Sequence, residues 1–490
     1  MAQEPSNKEQ GGQLKDRVAR GVAWSMAEKV GSTFLQIAVS LTILRLLTRE
    51  DLGLMAILTA ASALALVLSD SGFSQTLIRK ASPTERDFKS VFCFNITVSS
   101  LLYALFVGIS PWVAHYYAMP QLVELAPVFF LLLPINALAT VQYAIFQREF
   151  KFAQLSTITF LASLGSGVTA IGMALAGCGV WSVVAQRVLM IALRSGLLWA
   201  GSTWRPRGRF SKETLREMAP YSFSLMGTDL INTFYNKIPQ FFLGRLYPVS
   251  TLGSFDQAVK LKDQPVVALT QAVQGVTFPA LSKIADNAPK FAESFRQVIM
   301  VVAYMIFPLM LGMSAVAHDL FDGLLGEEWM PTVPYFRVVC LAGLFYPLTM
   351  VAFNVLKVKS DGRLIIRLEI AKKVMMTLVF AITIPLSVEA VVWGLVVIAF
   401  LDMMINFVAT MRFTELKMTQ ILRTMLPIVA VSVAMYGAVM VVGAWLPDHA
   451  LLKLGGKIVV GVLSYWLLSL AFGLEAYREV VQIIRKQFRH

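Results

Sequence analysis

Apolar segments of about 20 residues recur along this chain from Val22 to Phe472, and no other feature limits its fold as tightly. In hydrocarbon, every backbone N–H and C=O must be satisfied within a helix or around a closed barrel. Barrel strands are about 10 residues long and alternate strictly, whereas these runs are too long and too even. The chain therefore reads as an all-α integral membrane protein. Its composition, 57% hydrophobic and 15% charged with a mean hydropathy of +0.65, fits that solvent, since soluble domains carry about 25% charged residues.

About fourteen spans are predicted, with approximate limits 20–46, 52–78, 87–113, 121–147, 154–176, 179–200, 217–245, 252–281, 293–318, 333–357, 362–385, 388–411, 424–446 and 453–474. A repeat organises them. The stretch Arg45-Leu46-Leu47-Thr48-Arg49-Glu50-Asp51-Leu52-Gly53 returns 200 residues later as Arg245-Leu246-Tyr247-Pro248-Val249-Ser250-Thr251-Leu252-Gly253, and the same offset pairs Met26 with Met226 and Thr33-Phe34 with Thr233-Phe234. It carries the first span onto the seventh and the second onto the eighth. The expected fold is about 14 transmembrane helices in two pseudo-symmetric six-helix lobes plus two C-terminal helices. The expected organisation is an N-terminal lobe with its tail over 1–200, a basic linker over 201–216, a C-terminal lobe over 217–411, and a final helix pair with a basic tail over 412–490. An even number of helices per repeat makes the copies parallel, and duplicated apolar bundles of this kind are typical of transporters that alternate access.

Of the 43 Lys and Arg, 29 fall in the two tails and alternate loops, against 4 in the opposite loops. Positive residues collect on the side that is not translocated, so both termini are expected in the cytoplasm. That asymmetry accounts for the net charge of +13 without nucleic acid as a partner. The tail residues Arg478, Arg485, Lys486 and Arg489 are expected along anionic headgroups. A hydrophilic start of about 15 residues precedes a span longer than a signal-peptide core, so that span is expected to be retained.

Cys93, Cys178 and Cys340 show no paired spacing, the four histidines are scattered, and neither a disulfide framework nor a metal or cofactor site is expected. Asn95-Ile96-Thr97 has the glycosylation pattern but lies inside a span. The largest gaps, about 201–216 and 412–423, are too short for a catalytic domain, and there is no G-x-x-x-x-G-K-[ST] loop for ATP. These features argue against an enzyme. A membrane polymerase or another enzyme of a sugar pathway is the enzymatic alternative.

Several phrases carry a family resemblance: Leu243-Gly244-Arg245-Leu246 followed by Leu252-Gly253-Ser254-Phe255, Lys260-Leu261 and Pro265; Phe146-Gln147-Arg148-Glu149-Phe150-Lys151-Phe152; Gly179-Val180-Trp181; Trp204-Arg205-Pro206-Arg207 with Phe210-Ser211; Phe278-Pro279-Ala280-Leu281-Ser282; and Leu325-Gly326-Glu327-Glu328-Trp329. In order and spacing the chain resembles the oligosaccharide flippase (Wzx-type, polysaccharide transporter) family of the MOP superfamily, and most of all its colanic-acid-exporter branch. The resemblance implies translocation of undecaprenyl-diphosphate-linked repeat units across the bacterial inner membrane. It also implies H+ or Na+ as candidate coupling ions and the pathway's polymerase and export proteins as candidate partners. A multidrug or metabolite antiporter of the same superfamily is the alternative transporter.

A hydrated, anionic diphosphate head cannot cross hydrocarbon, so a cationic, wet path is needed. Ten Lys and Arg remain inside the spans, among them Lys29, Lys260, Lys262, Lys372, Lys373 and Lys457, and those away from helix ends should face the bundle interior or water. Lys260 and Lys262 are the leading substrate contacts. Lys260 stands where similar flippases commonly carry Arg; the lysine retains a point charge but lacks the bidentate fork. The competing reading is that Asp256 and Asp263 simply neutralise Lys260. Gln271, Gln274 and Asp70 are further substrate-binding candidates, with helix-to-helix hydrogen bonding as their alternative. Lys29 and Asp229 are equivalent by the repeat offset and could close a mouth as an ion pair, against the alternative that each pairs independently, with Lys29 snorkelling to the interface; Glu28 is a candidate proton or lumen site. Glu369, Lys372 and Lys373 are expected to form a local solvated cluster near a cytoplasmic end. Asp402 and Asn406, four apart, share a helix face and read either as a polar seam or as simple interhelical bonding.

Overall fold

The computed structural model describes residues 39–487, and every regular element among them is helical. The helices begin with α1 (39–46), α2 (Arg49–Asp70), α3 (Phe73–Arg79), α4 (Glu85–Tyr117), α5 (Leu122–Phe129), α6 (Leu132–Arg148), α7 (Phe152–Leu175), α8 (Val180–Gly201) and α9 (Lys212–Leu246). They continue with α10 (Val249–Lys283), α11 (Ala288–Ala315), α12 (Ala317–Leu320), α13 (Val333–Gly343), α14 (Tyr346–Lys359), α15 (Gly362–Thr383), α16 (Val388–Thr414), α17 (Met418–Gly443), α18 (Ala450–Ala471) and α19 (Glu475–Gln487). The chain divides into two compact units, one ending at Ser250 and the other beginning at Thr251.

Among the described residues ten segments are long and apolar enough to cross a bilayer: α2, α4, α5 with α6, α7, α8, α11, the stretch 327–359, α16, α17 and α18. This is a multi-pass membrane protein. Two further helices, α9 and α10, are 35 residues long, and α15 has 22, but these three carry more charged and polar residues.

Several helix starts are closed by side chains, as a low-dielectric boundary requires for the orphan N–H groups of a first turn. At α2 the Asp51 N–H donates to Thr48 Oγ1 (3.2 Å) and the Thr48 N–H to Asp51 Oδ2 (3.2 Å). Thr84 and Asp87 repeat the device at α4 (3.4 and 2.7 Å). Several predicted spans are interrupted. The second breaks at Ser71-Gly72, both in the left-handed region (φ 49° and 71°); the fourth and tenth break before Leu132 and Tyr346. The predicted gap 412–423 shrinks to 415–417, because Glu415 takes a left-handed cap (φ 56°) and reverses the chain at once.

In the first unit Phe73, Leu77, Val91, Phe92, Val141, Trp204 and Met218 make a buried core. In the second, α11 presents Phe291, Phe295, Ile299, Ala303, Ile306 and Met310 at helical spacing to Leu348, Val351 and Val355 of α14, Phe407 of α16 and Ile421 of α17. Lipid tails are as apolar as these side chains, so close packing rather than exclusion from water holds such helices together. α15 shows the outward side of the same rule: Ile366, Ile370, Val374, Leu378 and Ile382 form one exposed stripe.

Each unit also contains one version of the same tie. Arg148, the last residue of α6, donates to the carbonyls of Leu77 (2.8 Å) and Ile78 (2.9 Å) in the last turn of α3 and of Lys80 (2.6 Å) and Ala81 (3.1 Å) just after it. Lys359, the last residue of α14, donates to the Ala285 carbonyl after α10. In both, a cation closing the fourth predicted span of its repeat fastens the loop that follows the second.

Candidate functional site

α10 begins at Val249, which puts Lys260 and Lys262 about 17–20 Å along it at 1.5 Å per residue. Each has its own carboxylate. Lys260 Nζ lies 2.5 Å from Asp256 Oδ2, whose side chain is only 5% exposed, and Lys262 Nζ lies 2.5 Å from Asp263 Oδ1. Lys260 remains 36% exposed and Lys262 15%. Pro265 has no N–H to give to the Leu261 carbonyl, so the helix is weakened in the turn that holds both lysines. The Lys262 stem runs past Gly343, where a Cβ would lie 3.1 Å from Lys262 Cδ and 2.6 Å from Met310 Sδ. Gln271 is exposed and Gln274 half-buried; both stand about 16–21 Å farther along α10 than Lys260, and the fold does not bring them to the lysines.

In the first unit Asp70 ends α2, is half-buried, and accepts a hydrogen bond from Ser74 Oγ. Asp229 of α9 is exposed and close enough to act electrostatically on Asp70. Two carboxylates assigned separate roles from sequence therefore share one locality. Glu28 and Lys29, and with them the Lys29–Asp229 pair, lie outside the described residues.

The α2–α3 strip and α9 run as a seam. Thr76 Oγ1 and Ser222 Oγ are 2.7 Å apart and buried, the Arg79 guanidinium sits 4.2 Å from the Tyr221 ring centroid, and Lys80 reaches both Asp87 (3.2 Å) and Glu217 (3.5 Å). A Cβ at Gly72 would meet the Ser222 carbonyl oxygen at 2.4 Å, and one at Gly53, at the far end of α2, would meet the Val249 oxygen at 2.1 Å. Sequence reasoning missed this seam. The visible signal was the Ser71-Gly72 dipeptide, a turn signature inside an apparent span.

The expectation of a solvated Glu369–Lys372–Lys373 cluster is corrected. Lys372 is buried, pairs with Glu369 on its own helix, and lies 3.1 Å from Asp402 Oδ1 on α16. Lys372 projects from the side of α15 opposite the Ile370 and Val374 stripe, into the bundle, and ten residues from the helix start place it about 15 Å deep. Tyr346 of α14 feels both Asp402 and Asp263, so this cluster adjoins the Lys262 pair. Asn406, one turn beyond Asp402, is fully buried with no partner for its amide among the described residues. A second buried pair, Lys457 with Asp319, ties α18 to α12, and Gly443 leaves room for the lysine stem: a Cβ there would lie 2.3 Å from Lys457 Cε.

These helices keep their charges paired within each unit. The chain is similar to the lipid II flippase MurJ in an inward closed conformation, with a TM-score of 0.75 at 12% identity over 94% of this chain and 100% of that one. It is also similar to an inward-facing multidrug resistance MATE family transporter of the MOP superfamily (TM-score 0.59, 16% identity, 78% and 96% covered). The model of the polysaccharide biosynthesis protein family matches residues 43–334, and the chain belongs to that family. Relatives include the succinoglycan biosynthesis transport protein ExoT of Rhizobium meliloti (strain 1021), 26% identical over 67% of each chain, and the lipopolysaccharide biosynthesis protein WzxC of Escherichia coli (strain K12), 21% identical over 68% of each. The oligosaccharide flippase resemblance read from the motifs is borne out.

Proposed function

We propose that this protein is a flippase that carries undecaprenyl-diphosphate-linked oligosaccharide repeat units from the cytoplasmic to the outer leaflet of the bacterial inner membrane, by alternating access, for exopolysaccharide, O-antigen or capsule synthesis. Family membership and the names of the relatives support a role in polysaccharide biosynthesis. The observation that carries the reading is the Lys260–Asp256 pair at mid-helix: the ammonium is already desolvated on one side and held by a group that a diphosphate oxygen can replace. A transport site must bind and also release, and a cation shared with its own carboxylate makes a shallow well.

In this reading Lys260 and Lys262 contact the anionic head, with Gln271, Gln274 and Asp70 as further substrate contacts. Glu28, Lys29 and Asp229 serve gating or coupling to H+ or Na+. Fourteen helices form two six-helix lobes and a C-terminal pair, with both termini in the cytoplasm. The native Cys178 is exposed in the α7–α8 turn. A variant keeping Cys178 alone is expected to react with an impermeant thiol reagent from outside, and reaction only after the membrane is opened would reverse the orientation.

The MATE-like fold favours one second reading, a multidrug or metabolite antiporter. Purified protein in vesicles with a fluorescent lipid-linked oligosaccharide separates the possibilities. Transbilayer movement at constant chain length is expected; longer chains would mean a polymerase, and drug transport without lipid movement would mean the antiporter.

A further inference from the structure

The loop 202–211 is fastened to the start of α4 along its length. Trp204 Nε1 donates to Glu85 Oε2 (2.9 Å), the Ser211 N–H donates to Ser90 Oγ (2.9 Å), and a Cβ at Gly208 would meet the Glu85 carbonyl oxygen at 2.8 Å. Arg205 braces the loop from within: it donates to the Ser202 and Trp204 carbonyls (2.7 and 2.8 Å), with its guanidinium 5.4 Å from the Trp199 ring centroid. Between this loop and the end of α6 lies a cavity of about 740 Å³. It sits where three membrane-crossing segments begin or end, at Glu85, Arg148 and Gly201, and therefore at the level of the headgroups.

The walls of the cavity carry both signs of charge. Arg148, Arg205 and Arg207 line it together with Glu85 and Glu149, and Phe88 and Trp204 add aromatic surface. Arg148 is taken up by its four carbonyls, and Glu149 also holds Lys151 (2.5 Å). Arg207 is exposed and, among the described residues, makes no side-chain bond, while Glu85 has Oε1 uncommitted. A simple anion here would meet two carboxylates, and a simple cation three guanidiniums. A group that carries both charges satisfies the whole wall. Phosphate suits the planar guanidiniums. A primary ammonium suits the carboxylates, with N–H donors that a quaternary ammonium lacks and aromatic rings beside it.

The chain then turns outward. Phe150, the residue after Glu149, is 80% exposed and occupies the left-handed region (φ 54°) that ordinarily goes to glycine. Its ring meets that of Phe152, itself 47% exposed, edge-on at 6.0 Å. Aromatic side chains left exposed at the end of a span belong to the membrane interface. A charged cavity beside such a surface fits a molecule with a zwitterionic head and an apolar tail.

We infer that this cavity is a binding site for a zwitterionic phospholipid of the phosphatidylethanolamine type. Arg205 and Arg207 hold the phosphate, Glu85 and Glu149 hold the ammonium, and the acyl chains leave over Phe150 and Phe152. The inference goes beyond the flippase reading and does not rest on it.

Native mass spectrometry of the delipidated full chain in a nonionic detergent, titrated with one lipid at a time, tests it. Phosphatidylethanolamine is expected to bind about tenfold more tightly than phosphatidylcholine, which has the same phosphate but no N–H to donate. Phosphatidylglycerol should also bind less tightly, because its head offers the carboxylates no ammonium. The combined E85Q/E149Q variant should lose the preference for phosphatidylethanolamine, and R207Q should weaken both zwitterionic lipids alike, with both variants monodisperse. Tighter binding of phosphatidylglycerol would make this a plain anion site and overturn the inference. A preference unchanged in both variants would place the lipid elsewhere and overturn it too. Displacement of the lipid by an equal concentration of glycerophosphoethanolamine, the same head without acyl chains, would mean a soluble ligand instead.

Discussion

Lys372 Nζ lies 3.1 Å from Asp402 Oδ1 across the α15–α16 interface, with Glu369 closing the same ammonium from one turn away. This bridge joins α15 to α16, and a single ammonium is shared by two carboxylates. Lys372→Ala leaves two carboxylates beside each other and is expected to destabilise the second unit by about 3 kcal/mol. Combining Lys372→Met with Glu369→Gln and Asp402→Asn should recover most of the loss. Thermal unfolding of the purified protein checks this, and an unchanged midpoint for Lys372→Ala would contradict it.

The Lys260–Asp256 pair separates a transport role from a packing role. If Lys260 meets the diphosphate, Lys260→Ala abolishes or sharply reduces flipping without lowering protein level, Lys260→Arg is tolerated because it restores a bidentate donor, and Lys262→Ala has the weaker effect. If the pair only neutralises charge, Lys260→Ala mainly lowers abundance and Asp256→Asn rescues it. Wild-type flipping by a well-expressed Lys260→Ala protein would remove Lys260 from the path.

At the α9 seam, Gly72 combines a left-handed φ of 71° with a Ser222 oxygen 2.4 Å from where a Cβ would sit. Gly72→Ala should cost ~1–2 kcal/mol for the backbone alone and push α9 away besides. Ser222→Ala gives up one buried hydrogen bond, about 1 kcal/mol, Thr76→Ala gives up that bond and the one to the Gly72 carbonyl (3.1 Å), and the double variant should be little worse than Thr76→Ala. Additive losses in thermal unfolding would show that the two hydroxyls do not act as a pair.

Much of this architecture was legible because hydrophobic length and charge placement act locally. Predicted limits such as 154–176 and 388–411 fall within a few residues of α7 and α16. The interruption before Tyr346 was hidden, since the flanking residues are apolar on both sides, whereas Ser71-Gly72 carried a turn signature that the length of the apolar run around it outweighed. Lys260 and Asp256 were readable as an i, i+4 pair. The Lys372–Asp402 and Asp70–Asp229 proximities were not, because partners on different helices leave no spacing in the chain. The sequence does hold one clue to the first of them: Lys372 lies opposite the four-residue stripe Ile366, Ile370, Val374, Leu378, which marks the lipid side and so sends the lysine inward.

The pairing of Arg296 with Glu475 at the start of α19 has a pH signature. Hydrogen bonds from Arg296 hold the Glu475 carboxyl below its usual range. A group whose folded pKa is depressed contributes stability above its unfolded value, about 4.3, and loses it as pH falls through the folded value. Glu475→Gln should therefore lower the unfolding midpoint at neutral pH, by no more than ~1 kcal/mol for so exposed a pair, and match the wild type in acid. A gap that persists at low pH would place the effect elsewhere.

Flippase activity is tested most directly by leaflet-resolved detection of the lipid-linked oligosaccharide in a strain lacking this protein. The intermediate is expected to accumulate in the cytoplasmic leaflet with its repeat unit complete, and to return to the outer leaflet when the wild-type chain, but not Lys260→Ala, is restored. Accumulation of complete units in the outer leaflet of the deletion strain would place the block after translocation and contradict the flippase assignment.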